Sequence, residues 1–191
     1  MPRQIFLFTE PRRFVAGTVG RPGERTFYLQ AADATRLVTV TLEKTQVAIL
    51  ADRIDQLLDE VVGDFDELAD PPVDNEALEQ PIDSEFRVNA MALAWDGDAG
   101  VVIIEAQAPA EDNEQAEETL LTDATDGPDT VRVLLSPQAA RAFADRSRRV
   151  VAAGRPPCPL CGQPLDPSGH VCPRQNGYHR RVPTADLPDD D

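Results

Sequence analysis

Residues 1–157 of this chain contain neither histidine nor cysteine. Their absence removes the commonest general base and the most reactive nucleophile from most of the sequence. Aromatic residues are scarce, at 5% with a single tryptophan, so a core must draw on Val, Leu, Ile and Ala within a hydrophobic fraction of 41%. One lysine, Lys44, stands against seventeen arginines, which reads as the codon bias of a GC-rich genome rather than as mechanism. No apolar run approaches the roughly 18–20 residues of a membrane span. Between Met1 and Phe14 only Ile5–Phe8 is apolar, so no signal peptide is read and a cytoplasmic protein is expected.

Nucleotide and cation motifs are missing too. No glycine-rich loop ends in Lys-Ser or Lys-Thr, and Ala16-Gly-Thr-Val-Gly20 lacks the spacing of a dinucleotide fingerprint. Trp95-Asp-Gly-Asp-Ala-Gly100 holds two aspartates without the later ligands and closing Glu of a calcium loop, and reads as a hairpin turn.

Charge is abundant but unevenly spread. The net formal charge is −16, which argues against general attraction to nucleic acid or anionic lipid. From Arg141 to Arg181 eight arginines face only Asp145 and Asp166, a local +6 that leaves −22 for the remainder. Two acidic stretches, 63–83 and 108–128, lack a sustained period and read as solvated loops. Residues 183–191 form an acidic tail.

The chain also repeats itself. Val38–Arg53 aligns without gaps on Val131–Arg146: Val, Val and Leu match at period two, then Ala-Asp-Arg matches at the end. Each copy is a strand running into a helix, with Glu43 or Ser136 at the helix start and Pro137 at a tolerated first-turn position. Val47, Leu50, Ile54, Leu57, Leu58 and Val61 form an apolar stripe on the first helix; Ala139, Ala142, Phe143 and Val150 form one on the second. Strand candidates Phe14–Val19 and Thr26–Gln30 precede the first copy, and Phe86–Trp95 and Val101–Ala106 precede the second. The expected fold is α+β, a duplicated β-β-β-α unit over residues 1–153 with halves near 1–62 and 84–153, its antiparallel sheet packed on two helices. A groove between the halves is the natural place for a ligand.

Residues 154–182 carry every cysteine and histidine in the chain. Cys158-Pro-Leu-Cys161-Gly162 followed by His170-Val-Cys172 has the residue types and spacing of a small Cys3His zinc site, a zinc-ribbon-like module. Gly162 lets the chain bend under the first pair, and Pro164, Pro167 and Gly169 turn it back. His179, six residues beyond Cys172, is the rival fourth ligand. A redox dithiol would want the pair at a helix start, whereas prolines surround it here. Structural disulfides suit neither a reducing compartment nor an odd count. Four filled positions would make the metal structural.

Pro2-Arg-Gln-Ile-Phe6, Phe27-Tyr-Leu-Gln-Ala31, Val40–Val47 and the closing Cys158–Tyr178 run resemble the actinobacterial conserved proteins grouped as DUF3090, over nearly the whole chain. The resemblance implies no established activity and transfers no catalytic residue. Its Gly-His-x-Cys-Pro-Arg run supports Cys158, Cys161, His170 and Cys172 as the metal set. Its genes tend to accompany those of histidine-phosphatase-like and phosphoinositide-kinase-like proteins.

The functional expectation is a non-enzymatic zinc-containing adaptor. An acidic scaffold would present a basic metal-stapled module to a protein partner through Arg148, Arg149, Arg155, Arg174, Arg180 and Arg181. One alternative places those arginines on nucleic acid, with Tyr178 free to stack. Another is an enzyme or accessory factor in phosphate or phosphoinositide-like metabolism, whose best carboxylate candidates are Glu43 and Glu105. The arginines could equally pair with acids of the same chain.

Overall fold

Six apolar-rich segments of six or seven residues form the longer strands. In the first half these strands are β2 (Arg13–Val19), β3 (Thr26–Ala32) and β4 (Leu37–Leu42); in the second they are β6 (Ala90–Asp96), β7 (Val101–Gln107) and β8 (Thr130–Leu135). Each trio is antiparallel and leads into a helix, α1 (Lys44–Val61) or α2 (Pro137–Ala152). The starts of both helices are capped locally. Gln46 Oε1 accepts the Glu43 N–H at 2.7 Å, and Ser136 Oγ accepts the Ala139 N–H at 3.2 Å. The computed structural model describes residues 2–62, 73–110, 118–154, 158–163, 165 and 170–174. It divides into two compact units, Met1–Ala153 and Gly154–Asp191.

Two short strands complete the larger unit, and each crosses to the other half. β1 (Ile5–Phe8) lies parallel to β8, with Ile5 opposite Thr130 and Phe8 opposite Val133. β5 (Ser84–Arg87) lies parallel to β4, with Ser84 opposite Thr39 and Arg87 opposite Thr41 across a register shift. The duplicated unit therefore holds two four-stranded sheets, ordered β1-β8-β7-β6 and β2-β3-β4-β5. The single candidate strand Phe86–Trp95 is two strands in different sheets, broken at Val88 and Asn89. Ile5–Phe8, an apolar run without a role in the sequence reading, is β1. Four residues are too few for a period to declare itself.

One core joins both sheets and both helices. Phe27, Leu29, Ala31, Val38, Val40 and Leu42 meet Val102, Ile104, Val131, Val133 and Leu135 in a single buried cluster. Val47, Leu50, Ile54 and Leu58 enter it from α1, each contributing about 1.5–3 kcal/mol. On α2 the buried face is Ala140, Phe143, Ala144, Arg146 and Ser147, so the expected stripe through Ala139 and Ala142 is displaced by one residue. Small alanines carry little apolar area and leave the orientation of that helix to Phe143 and Arg146.

The outer face of each sheet is roofed by an irregular segment held on a buried polar side chain. In β3, Gln30 Nε2 donates to Thr39 Oγ1 and to Glu79 O, both at 3.0 Å, and Gln30 Oε1 accepts the Glu79 N–H at 2.9 Å. At the equivalent place in β7, fully buried Glu105 accepts the Leu121 N–H at 2.8 Å and the Arg132 Nε–H, with Arg3 3.9 Å away. The described part of the first acidic stretch, residues 73–83, is thereby a strap. Asp74 accepts from Arg13 Nε and Arg146 Nη1 at 2.7 Å, while Arg13 also donates to Ala77 O and Glu76 O at 2.9 Å. Leu78 sits directly on Gly17, where a Cβ would come within 2.5 Å of Leu78 Cδ2.

Arg146 and Arg53 occupy the same place in the repeat and do different work. Arg146 is buried, donating to Ala16 O at 3.0 Å and to Asp74 O and Glu76 O at 2.7 Å, whereas Arg53 is exposed and, among the described residues, reaches Gln56. Arg146→Met should therefore cost about 3 kcal/mol in chemical denaturation. Arg53→Met should stay within about 0.5 kcal/mol.

Hydrogen bonding by Arg13 lowers the pKa of Asp74 below its ordinary value. A depressed carboxyl contributes stability that is complete above its unfolded value of about 3.9 and lost as pH falls through the folded value. Protection factors of the amides over residues 74–79 should accordingly fall on acidification below about pH 4. Asp74→Asn should show low protection at every pH.

Candidate metal centre

The smaller unit begins its site with a tight turn. The Cys158 N–H donates to Gln163 O at 2.7 Å, and the Gly162 N–H donates back to Cys158 O at 2.8 Å. That closure needs a left-handed residue after Cys161, and Gly162 supplies it at φ +74° without the steric cost a Cβ would bring. The Cys161 and Leu160 backbone N–H groups point at the Cys158 sulfur, which lowers the pKa of its thiol. For Cys161 the Gln163 N–H also favours the thiolate, but burial and the neighbouring thiols outweigh it, and its pKa is raised.

Residues 170–172 bring the other half of the cluster. Cys172 Sγ lies 3.9 Å from Cys158 Sγ, and His170 Nε2 lies 3.2 Å from Cys161 Sγ. The ligand atoms of Cys158, Cys161, His170 and Cys172 are all within 4.8 Å of one another. A zinc tetrahedron with ordinary Zn–S and Zn–N bonds has S···S edges of about 3.8 Å and S···N edges of about 3.5 Å, close to these values. The sulfur separation is also far beyond a disulfide bond of about 2.0 Å, and all three cysteines are free. Cys158 and Cys172 are buried while Cys161 and His170 are partly so, as befits a cluster that can surround an ion. His170 Nδ1 is buried with no hydrogen-bond partner among the described residues.

Of the two candidate histidines, the structure gathers His170 with the three cysteines; His179 lies outside the described residues. Arg155, Arg180 and Arg181 lie outside them as well. Arg148 is already engaged, bonded to Asp55 and lying 3.1 Å from Asp145 and 3.8 Å from Asp52. Arg149 is exposed, with its Nη2 3.4 Å from Asp74 O. Arg174 is exposed.

The two carboxylates considered for phosphate chemistry are each committed to arginine, Glu43 to Arg87 and Glu105 to Arg132 and Arg3. Asp96 Oδ1 accepts the N–H groups of Asp98 and Ala99 at 3.0 Å and so shapes the β6–β7 turn. Sequence reasoning missed the strap clamp of Arg13, Asp74 and Arg146. Its one available signal was the Ala-Asp-Arg match, which marks Arg146 without saying that it is buried. Among the described residues no helix is long and apolar enough to cross a membrane.

No curated protein and no solved structure matches the chain. A family model described as a protein of unknown function matches residues 6–172, from within β1 to the last cysteine of the cluster. The chain therefore belongs to the DUF3090 family.

Proposed function

We propose that this chain is a zinc-containing adaptor, in which Cys158, Cys161, His170 and Cys172 hold one structural zinc and the smaller unit is the partner-facing element. The observation that carries the reading is the convergence of three thiols and an imidazole within 4.8 Å, a donor set that zinc favours. Four protein ligands fill the tetrahedron and leave no position for water, so the ion staples rather than catalyses. A segment this short buries too little apolar surface to fold unaided, and metal binding would supply the difference.

Exposure suggests the contact face. Leu160 and Val171 flank the ligands and are 49% and 80% exposed, and Arg174 is exposed close by in sequence. Apolar tips with a neighbouring guanidinium suit a protein surface carrying an apolar recess and an acidic rim. Within the smaller unit Arg155, Arg180 and Arg181 are further candidates; in the larger unit Arg149 is a separate exposed candidate, whereas Arg148 is drawn off by its own chain's acids. A reducing cytoplasm suits three unpaired thiols.

Elemental analysis of protein purified without chelator should find one zinc per chain. Cys161→Ser or His170→Ala should weaken zinc binding by about 100-fold or more and collapse the NMR dispersion of residues 158–172. Metal-free wild type that keeps that dispersion would sink the structural role. For the adaptor role, copurification from the native host at physiological salt should return a defined protein that Val171→Asp and Arg174→Glu together release. Retention of zinc but no partner, or salt-dependent binding to nucleic acid instead, would refute it.

A further inference from the structure

The two copies of the repeat treat the space beside their helix starts differently. In the first copy Gln46 reaches from α1 to the β5–β6 junction, its Nε2 lying 3.3 Å from Val88 O and 3.5 Å from Asn89 O. Ile49 follows it on the same helix. The gapless repeat puts Ala139 and Ala142 of α2 at the positions of Gln46 and Ile49. Neither alanine can bridge to the strand that α2 faces, and a cleft of about 530 Å³ remains between β2 and the start of α2. Its size falls within the usual range for small-molecule sites, and it draws residues from both halves of the duplication.

The lining is apolar below and basic at the rim. Phe14 stacks on Phe143 with centroids 4.5 Å apart at 24°, and Val15, Leu135 and Ala142 extend that surface. Arg12, Arg13 and Arg146 also line the cleft, against Asp74 as its one lining carboxylate, in a chain whose net charge is −16. Arg13 and Arg146 are spent on the strap. Arg12 is the exposed cation of the three: its side chain is 55% exposed and holds a carboxylate, Glu79 of the strap, in a two-pronged grip at 3.2 and 2.8 Å. At the helix start Pro137 has no N–H and Ser136 takes that of Ala139, so Gln138, which lines the cleft, offers the uncapped amide.

The geometry points to a second, unassigned site here: the cleft between β2 and α2 binds a small carboxylic acid with a flat apolar body. The body lies over Phe14, Val15 and Ala142, and the carboxylate takes Arg12 in exchange for Glu79. This site lies wholly within the larger unit and does not depend on the metal cluster.

Calorimetric titration of the full chain with biphenyl-4-carboxylate tests it, with the neutral biphenyl-4-carboxamide as control. A ligand of this size seated in a formed cleft should bind with Kd below about 1 mM. The amide should bind about tenfold more weakly or worse. Arg12→Gln should bring acid and amide to the same weak affinity. Ala142→Ile, which restores the first copy's side chain, should abolish binding while the thermal transition stays native; Ala139→Gln, at an exposed position, serves if the bulkier residue disturbs folding. Absence of saturable binding, equal affinity for acid and amide in the wild type, or undiminished binding in the filled variants would each overturn the assignment.

Discussion

The reciprocal exchange of first strands is the constraint on which the larger unit depends. β1 completes the sheet of the second half and β5 completes the sheet of the first, each paired parallel to the strand that feeds a helix. Without the exchange, β8 and β4 would each present an unpaired edge immediately beside the core. With it, the outer edge of each half's sheet is paired by the other half, and a single hydrophobic cluster joins the two. Parallel pairing over such sequence distances closes long loops, and burial of both helices' apolar faces is what offsets that entropy.

Duplication supplied two equivalent frames, and divergence gave them different contents. Gln30 and Glu105 hold the same place on the outer faces and do the same work of anchoring a roof through its backbone. A buried neutral amide suffices where the strap brings its own carboxylates to Arg13 and Arg146. A buried carboxylate is tolerated where Arg132 and Arg3 accompany it. At the helix starts the halves part further. Gln46 closes its gap, while the alanines of α2 leave one open beside the arginine-bound strap.

The smaller unit solves a different problem. Its described residues gather a four-residue cluster beside the turn that Gly162 permits. The chain thus combines a unit held together by apolar area with one whose donor set invites a metal. The arginines that sequence reading grouped as a single basic face divide accordingly. Arg146 and Arg148 are consumed by acids of their own unit, and Arg149 and Arg174 remain exposed.

Much of this was legible from residue order alone. Periodicity and the Val38–Arg53 match to Val131–Arg146 revealed six strands, two helices and their kinship, because those signals are local and repeat every two or four residues. The spacing of Cys158, Cys161, His170 and Cys172 marked the candidate site, because knuckle chemistry is written in near neighbours. Four-residue strands that pair far along the chain, Ile5 with Thr130 and Ser84 with Thr39, carry no local signature, so only the tertiary structure decided their exchange. The same holds for Arg146: identical in type and repeat position to Arg53, it is buried because a distant strap bearing Asp74 folds back over it, and that meeting is a property of three dimensions.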